Sequence, residues 1–395
     1  MRFVVVLSLI EFAAGTATAQ PKKELLADLV RVKIDKGVSF LRNTQRPNGS
    51  WEVNLPSAGI EGGWTSLALL SLLNSGVPPT DPTVRRGLDY LRKVEPAMVY
   101  VSALQTMVFA EAGFQEDLPR IRKNIKYLLD VRVFKDNKLE GWSYSESKTK
   151  YTDNSNTQYA LLGLWAGKQA GIDIKEEIWE SIRDFYLRTQ EADGGWVYAS
   201  TLQGASSNTT TPTMTTAGLC GLLIAGMELN AGRETLQPGG AKNCGDYKEQ
   251  AGVAKALSWT GRNFRLDLPQ RTFYHLYGLE RTGRLSGLRF FGDHDWYREG
   301  SEYLVKNQND DGSWKSVGVW DQWPVVSTSF ALLFLSKGRT PVLVSKVVHG
   351  DYPRRLGDED WNNDRNDLRN MVAFASNDLP QDAVLAQQTF DIKAC

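Results

Sequence analysis

Gln45-Arg46-Pro47-Asn48-Gly49-Ser50-Trp51, Gln190-Glu191-Ala192-Asp193-Gly194-Gly195-Trp196 and Gln308-Asn309-Asp310-Asp311-Gly312-Ser313-Trp314 are three copies of one pattern. Each reads Gln, two variable residues, Asn or Asp, Gly, Ser or Gly, then Trp. A motif that returns at wide, similar intervals marks a repeat architecture. Glycine permits positive φ in a turn after a helix, and the preceding Asn or Asp favours the same tight geometry. The heptads therefore read as turns that divide the chain into units.

Outward from the heptads, residues 22–337 read as helices joined by Gly- and Asn-rich turns. Apolar residues recur at helical spacing before the first heptad, as in Ile34, Val38 and Leu41. After each turn a Ser or Thr precedes an Ala- and Leu-rich run: Thr65–Leu70, Thr157–Leu162, Thr215–Leu219 and Ser327–Leu333. Those hydroxyls suit helix N-termini, where backbone N–H groups lack partners. Six helix pairs emerge. Their second helices are expected near 64–75, 99–113, 156–170, 213–229, 270–282 and 326–337. First helices of the second and fifth pairs are expected near 83–93 and 247–260. The second and fifth pairs lack the Gly-Trp turn. The third keeps Gly141-Trp142 but has Asp136 where Gln would stand. Trp51 to Trp314 covers about 260 residues in five steps, about fifty per step, as helix-pair repeats require. No polar capping repeat is visible at either end, so the expected fold is all-α: a closed (α/α)6 toroid rather than an open solenoid.

The Gln-x-x-Asn/Asp-Gly-x-Trp pattern resembles the QW repeat of the terpenoid cyclase and protein prenyltransferase superfamily of α/α toroids. The whole also resembles secreted bacterial repeat proteins of the prenyltransferase and squalene oxidase type. The resemblance covers about residues 30–337 and implies a structural role for Gln45, Gly49, Trp51, Gly141, Trp142, Gln190, Gly194, Trp196, Gln308, Gly312 and Trp314. In that family the amide bonds to a neighbouring helix end and the indole packs over the turn.

The chemistry of the family is harder to find. Squalene cyclases carry an Asp-x-Asp-Asp-Thr motif at the start of an inner helix, whose middle Asp protonates the substrate. The nearest match is Asp153-Asn154-Ser155-Asn156-Thr157, which places Ser155 at the acid position. A serine hydroxyl is far too weak an acid for alkene protonation. Asp153 itself remains a candidate acid beside its reading as an N-cap. No Asp-Asp-x-x-Asp motif for magnesium diphosphate occurs. Prenyltransferases hold zinc with Asp, Cys and His. His275, in Thr272–Leu279, resembles the surroundings of the zinc histidine, but no Asp-x-Cys partner motif accompanies it, so neither metal nor cofactor is expected. Asp293 and Asp295, flanking His294, are acid–base candidates, with a helix-start role as the alternative. The Ser- and Thr-rich segment 198–213 is long enough to be a lid or binding loop. Trp142, Tyr144 and Tyr151 are expected near the same mouth and are the candidate ligand contacts. The expected ligand is an apolar small molecule, a glycan or a protein, and the expected role is a binding or scaffold module. An isoprenoid cyclase or transferase with non-standard acids and a carbohydrate-active α/α barrel are the alternatives.

Lys plus Arg and Asp plus Glu both total 46, which gives no sign of a nucleic-acid binder. Residues 1–19 read as an export signal: Arg2, an apolar run Phe3–Ile10, then Ala17-Thr18-Ala19. The expected location is the periplasm or the exterior, with no later membrane span. Cys220, Cys244 and Cys395 form no metal signature. A Cys220–Cys244 disulfide and a buried Cys220 thiol are both open. Residues 338–395 change character, with a β-branched run from Val342 to Val348. They read as a C-terminal extension or the start of a further domain.

Overall fold

The computed structural model describes residues 26–52, 60–145, 151–199, 209–230, 235–237, 240–242, 247–318, 321–336, 342–347 and 385–390. The export-signal segment, Cys244, Cys395 and most of the Ser/Thr-rich segment lie outside the described residues. Twelve α-helices are found among them. In chain order they are α1 (Leu26–Thr44), α2 (Gly63–Asn74), α3 (Pro82–Leu91), α4 (Val99–Ala112), α5 (Leu118–Asp130), α6 (Asn154–Gln169), α7 (Glu176–Thr189), α8 (Pro212–Asn230), α9 (Gln250–Arg262), α10 (Thr272–Ser286), α11 (Trp296–Lys306) and α12 (Pro324–Leu335). Even-numbered helices form an inner ring, each packed on its two even neighbours, and α12 returns to α2. Odd-numbered helices pack outside them. The expected closed toroid of six helix pairs is the observed architecture.

Sequence explains the two rings. Outer helices are amphipathic: α3 buries Val84, Leu88 and Leu91 on one face. Inner helices are buried nearly all round, as in α12, where Ser327 to Leu335 are all buried. Small residues permit this. A Cβ on Gly163 of α6 would come within 2.8 Å of the Ala103 backbone in α4.

The heptads close the ring by one repeated hydrogen-bond scheme. The Gln45 side-chain amide donates to Gly49 O at 3.0 Å and to Thr83 O of the next outer helix at 2.9 Å. Gln190 does the same with Gly194 (3.0 Å) and Gly252 (2.9 Å), and Gln308 with Gly312 and Lys33 (both 2.9 Å). Thr83, Gly252 and Lys33 lie in α3, α9 and α1, so the last heptad clamps the first outer helix. Each heptad glycine has φ near +90° and presses on a carbonyl of that same helix. A Cβ would meet Arg86 O at 2.2 Å, Lys255 O at 2.6 Å or Lys36 O at 2.5 Å. That close approach, as much as the φ, requires glycine.

Each tryptophan serves two helix ends. The Trp51, Trp196 and Trp314 indole N–H groups donate to Leu41, Tyr186 and Leu304 carbonyls at 2.7, 3.1 and 2.9 Å. These carbonyls lie in the last turn of α1, α7 and α11, where the regular ladder of backbone N–H donors runs out. The backbone N–H groups of the same tryptophans donate to Thr65, Thr215 and Thr328 hydroxyls at inner-helix starts. Trp142 repeats the scheme with Leu128 O at 2.7 Å and the Thr157 hydroxyl at 3.1 Å. Where no heptad exists, an ion pair links neighbours: the Arg92 guanidinium after α3 grips fully buried Asp117 before α5 at 2.9 and 2.8 Å.

Short hairpins lie between helices. β1 (Val133–Lys135) and β2 (Lys138–Gly141) precede α6; β3 (Thr235–Gln237) and β4 (Gly240–Lys242) follow α8; β5 (Phe290–Phe291) and β6 (His294–Asp295) precede α11. The β1–β2 turn uses Asp136 and Asn137 at φ 49° and 58°, so Asp136 is a hairpin residue and not a substitute for the heptad Gln. In the extension, β7 (Val342–Val347) pairs in parallel with β8 (Leu385–Phe390). No helix among the described residues is long and apolar enough to cross a membrane.

Candidate functional site: the toroid axis

Three inner helices begin on a carboxylate, buried in Asp153 and Asp321 and half-buried in Glu52. Glu52 accepts from Gly62 and Thr65 N–H groups at α2 (3.1 and 3.0 Å), Asp153 from Asn156 N–H at α6 (2.8 Å), and Asp321 from Thr272 N–H at α10 (2.7 Å). Unpaired helix N–H groups and the positive end of the helix dipole favour an anion there. Burial works against them: it raises the pKa of all three, and lifts Asp321 to about 6. Asp153 is held further. Oδ1 also accepts from the Ser155 hydroxyl at 2.5 Å, and Oδ2 from the Asn156 side-chain amide at 2.8 Å. Donors on both oxygens oppose the desolvation, because they bind the ionised form.

Around Ser155 the axis is filled by tyrosines. The hydroxyls of Tyr100 of α4 and of Tyr198 lie beside that of Ser155. Tyr144 and Tyr198 hydroxyls are 3.1 Å apart, and the Tyr274 hydroxyl donates to Gln158 Oε1 at 3.0 Å. Tyr100 lies 4.4 Å from Tyr159 and Tyr159 lies 6.3 Å from Tyr274, centroid to centroid. The second contact joins α6 to α10, which are not neighbours in the ring, so these rings span the lumen. They form a plug within the first two turns of the inner helices. Desolvation pushes the Tyr274 phenol up to about 12 and those of Tyr100 and Tyr159 well above the ordinary value. All stay neutral near pH 7.

One turn deeper stands Arg281 of α10, 7% exposed. Its guanidinium carbon sits 4.1 Å from the Tyr277 ring centroid and 6.0 Å from that of Tyr159. None of its three side-chain nitrogens has a hydrogen-bond partner among the described residues. Beside the plug, a pocket of about 330 Å³ opens between the start of α6 and the end of α7, lined in part by Asp153, Asn154, Arg188 and Glu191.

The sequence candidates are scattered. Asp153 stands at the plug, with Tyr144 about two-fifths exposed at its rim and half-buried Tyr151 two residues before it. Trp142 is fully buried, like the heptad tryptophans. His275 is buried in α10 on the Arg265 carbonyl at 2.9 Å, so Nε2 carries the proton; burial lowers its pKa to about 4 and keeps the ring neutral. No cluster of three potential metal ligands surrounds it among the described residues. Asp295 caps α11 by accepting from Arg298 N–H at 3.3 Å and pairs with Arg289 at 2.9 Å, while Asp293 is exposed. Cys220 is a buried free thiol. Sequence reasoning passed over Arg281, Tyr100, Tyr159 and Tyr274. Tyr274, Tyr277 and Arg281 at helical spacing formed the available signal.

No known family profile matches the chain. A 160-residue stretch, 40% of the chain, is 28% identical to squalene–hopene cyclase of Bradyrhizobium diazoefficiens; it spans 18% of that enzyme's length. Type II terpene cyclase MstE from Scytonema, solved with geranylgeranyl dihydroxybenzoate, superposes with a TM-score of 0.51 at 14% identity, covering 79% of this chain and 98% of that one. The GH76A α-1,6-mannanase from Salegentibacter gives 0.56 at 11% identity over 78% and 98%, and a possible GH105 member from Salmonella enterica 0.53 at 13% over 84% and 98%. Glycosidase barrels thus share the architecture. The cyclase alignment and the MstE superposition together place this chain in the terpenoid cyclase-like α/α toroid fold.

Proposed function

We propose that this chain is an exported ligand-binding toroid that does not perform proton-initiated cyclisation. One observation carries the reading: Asp153 is one of three carboxylates that cap inner helices, and Ser155 stands where the resemblance to squalene cyclases calls for the acid. Glu52 and Asp321 do the same work at α2 and α10 without any acid motif. Burial raises the Asp153 pKa, but both of its oxygens are occupied by Ser155 and Asn156 donors, whereas a general acid needs a proton free to reach the substrate. The tyrosine plug also occupies the axis beside Ser155.

The test is native mass spectrometry of the purified chain after incubation with isoprenoid and glycan pools. The reading expects bound, chemically unchanged small molecules of the isoprenoid-like class. Turnover of squalene or a prenyl diphosphate would overturn it. A second reading, carbohydrate-active, rests on the pocket that brings Asp153 and Glu191 together beside Arg188. Shortened glycans in the same incubation would favour it.

A further inference from the structure

We infer that the lumen takes an anionic amphiphile, with its acid group on Arg281 and its apolar chain toward the C-terminal mouth of the inner ring. The inference rests on the ligand-binding reading and adds the class of ligand. Its starting point is a charge without a partner. An isolated ion in a protein interior costs several kcal/mol, and such groups are normally paired. Arg281 has none of its nitrogens satisfied among the described residues, and the phenols near it are neutral at pH 7. Stacking on Tyr277 at 4.1 Å offsets part of the cost but leaves every N–H donor free.

The surroundings select the rest of the molecule. Tyr159 and Tyr274 close the lumen on the N-terminal side of Arg281. Toward the other end, the same faces of the inner helices present Met107, Leu223, Met227 and Leu285, which pack on the core yet stay partly exposed. Arg281 to Ser286 is five residues, roughly 8 Å of helix. On this inference an alkyl or isoprenoid chain longer than that depth would run past these side chains and leave its far end in the mouth. A planar carboxylate would accept two parallel N–H bonds from the guanidinium, the geometry for which arginine is suited.

The experiment is titration of the full chain with sodium dodecanoate, dodecan-1-ol and inorganic phosphate, followed calorimetrically, for the natural protein and Arg281→Met. We expect saturable one-to-one binding of dodecanoate, at least tenfold weaker binding of the alcohol, and no binding of phosphate alone. Arg281→Met should bind acid and alcohol alike, and its melting temperature without ligand should equal or exceed that of the natural protein. Equal binding of acid and alcohol to the natural protein, or an unchanged acid preference in Arg281→Met, would overturn the anionic assignment while leaving the binding reading in place. Phosphate binding alone, lost in Arg281→Met, would overturn the amphiphile. If neither the acid nor the alcohol binds, both this inference and the apolar-ligand reading fail.

Discussion

Asp321 shows how the fold uses a carboxylate and what it costs. It belongs to the segment before α12 yet accepts from Thr272 N–H at the start of α10, 49 positions earlier. Burial raises it from 3.8 to about 6. The native state therefore holds this proton more tightly than the unfolded chain does. Between those values folding takes up the proton, so the contribution of Asp321 is full only below 3.8, shrinks above it and is lost as pH rises through about 6. Asp321→Asn keeps an oxygen acceptor for Thr272 but cannot ionise. The melting temperature of the variant, relative to the natural protein, should rise between pH 4 and pH 7. A difference that stays constant over that range would contradict the assigned shift.

At the scale of elements, the heptad is a joint between three helices. The indole finishes an outer helix, the backbone N–H meets the hydroxyl of an inner helix, and the Gln amide holds the next outer helix. Replacing Gln308 by Ala leaves the Lys33 and Gly312 carbonyls short of donors, which costs about 1–3 kcal/mol for buried groups. Thr328→Val removes the acceptor for Trp314 N–H with little change of shape and should cost about 1 kcal/mol, with Thr328→Ser restoring most of it. Urea denaturation reads both. These joints were legible in sequence because Gln, Gly and Trp are each demanded locally, and the six inner helices fall within a few residues of their expected spans. The β1–β2 hairpin could also have been read, since Asp136-Asn137 is a two-residue turn between Val133-Phe134-Lys135 and Lys138-Leu139-Glu140. Asp321 and Arg281 could not. Leu279-Glu280-Arg281-Thr282 reads as ordinary helix, and only closure of the ring decides that Arg281 faces the axis. The cap on α10 likewise depends on a segment that reaches it only through the fold.

For the whole molecule, closure sets the twelve described helices around one axis, and the contents of that axis carry the proposed reading. The N-terminal half of the lumen holds phenols, Ser155 and a carboxylate already committed to hydrogen bonds. The deeper part holds the Arg281 guanidinium, without a hydrogen-bond partner among the described residues, over the Tyr277 ring and next in sequence to buried Glu280. On the proposed reading that arrangement holds a molecule, because both Asp153 oxygens are engaged by Ser155 and Asn156 donors rather than turned toward an alkene. The most direct measurement is prolonged incubation of the purified chain with squalene in D2O, with isotopic analysis of the recovered hydrocarbon. The account predicts that squalene returns uncyclised and free of deuterium. Cyclic products carrying deuterium would contradict it, because they would require proton transfer from this site.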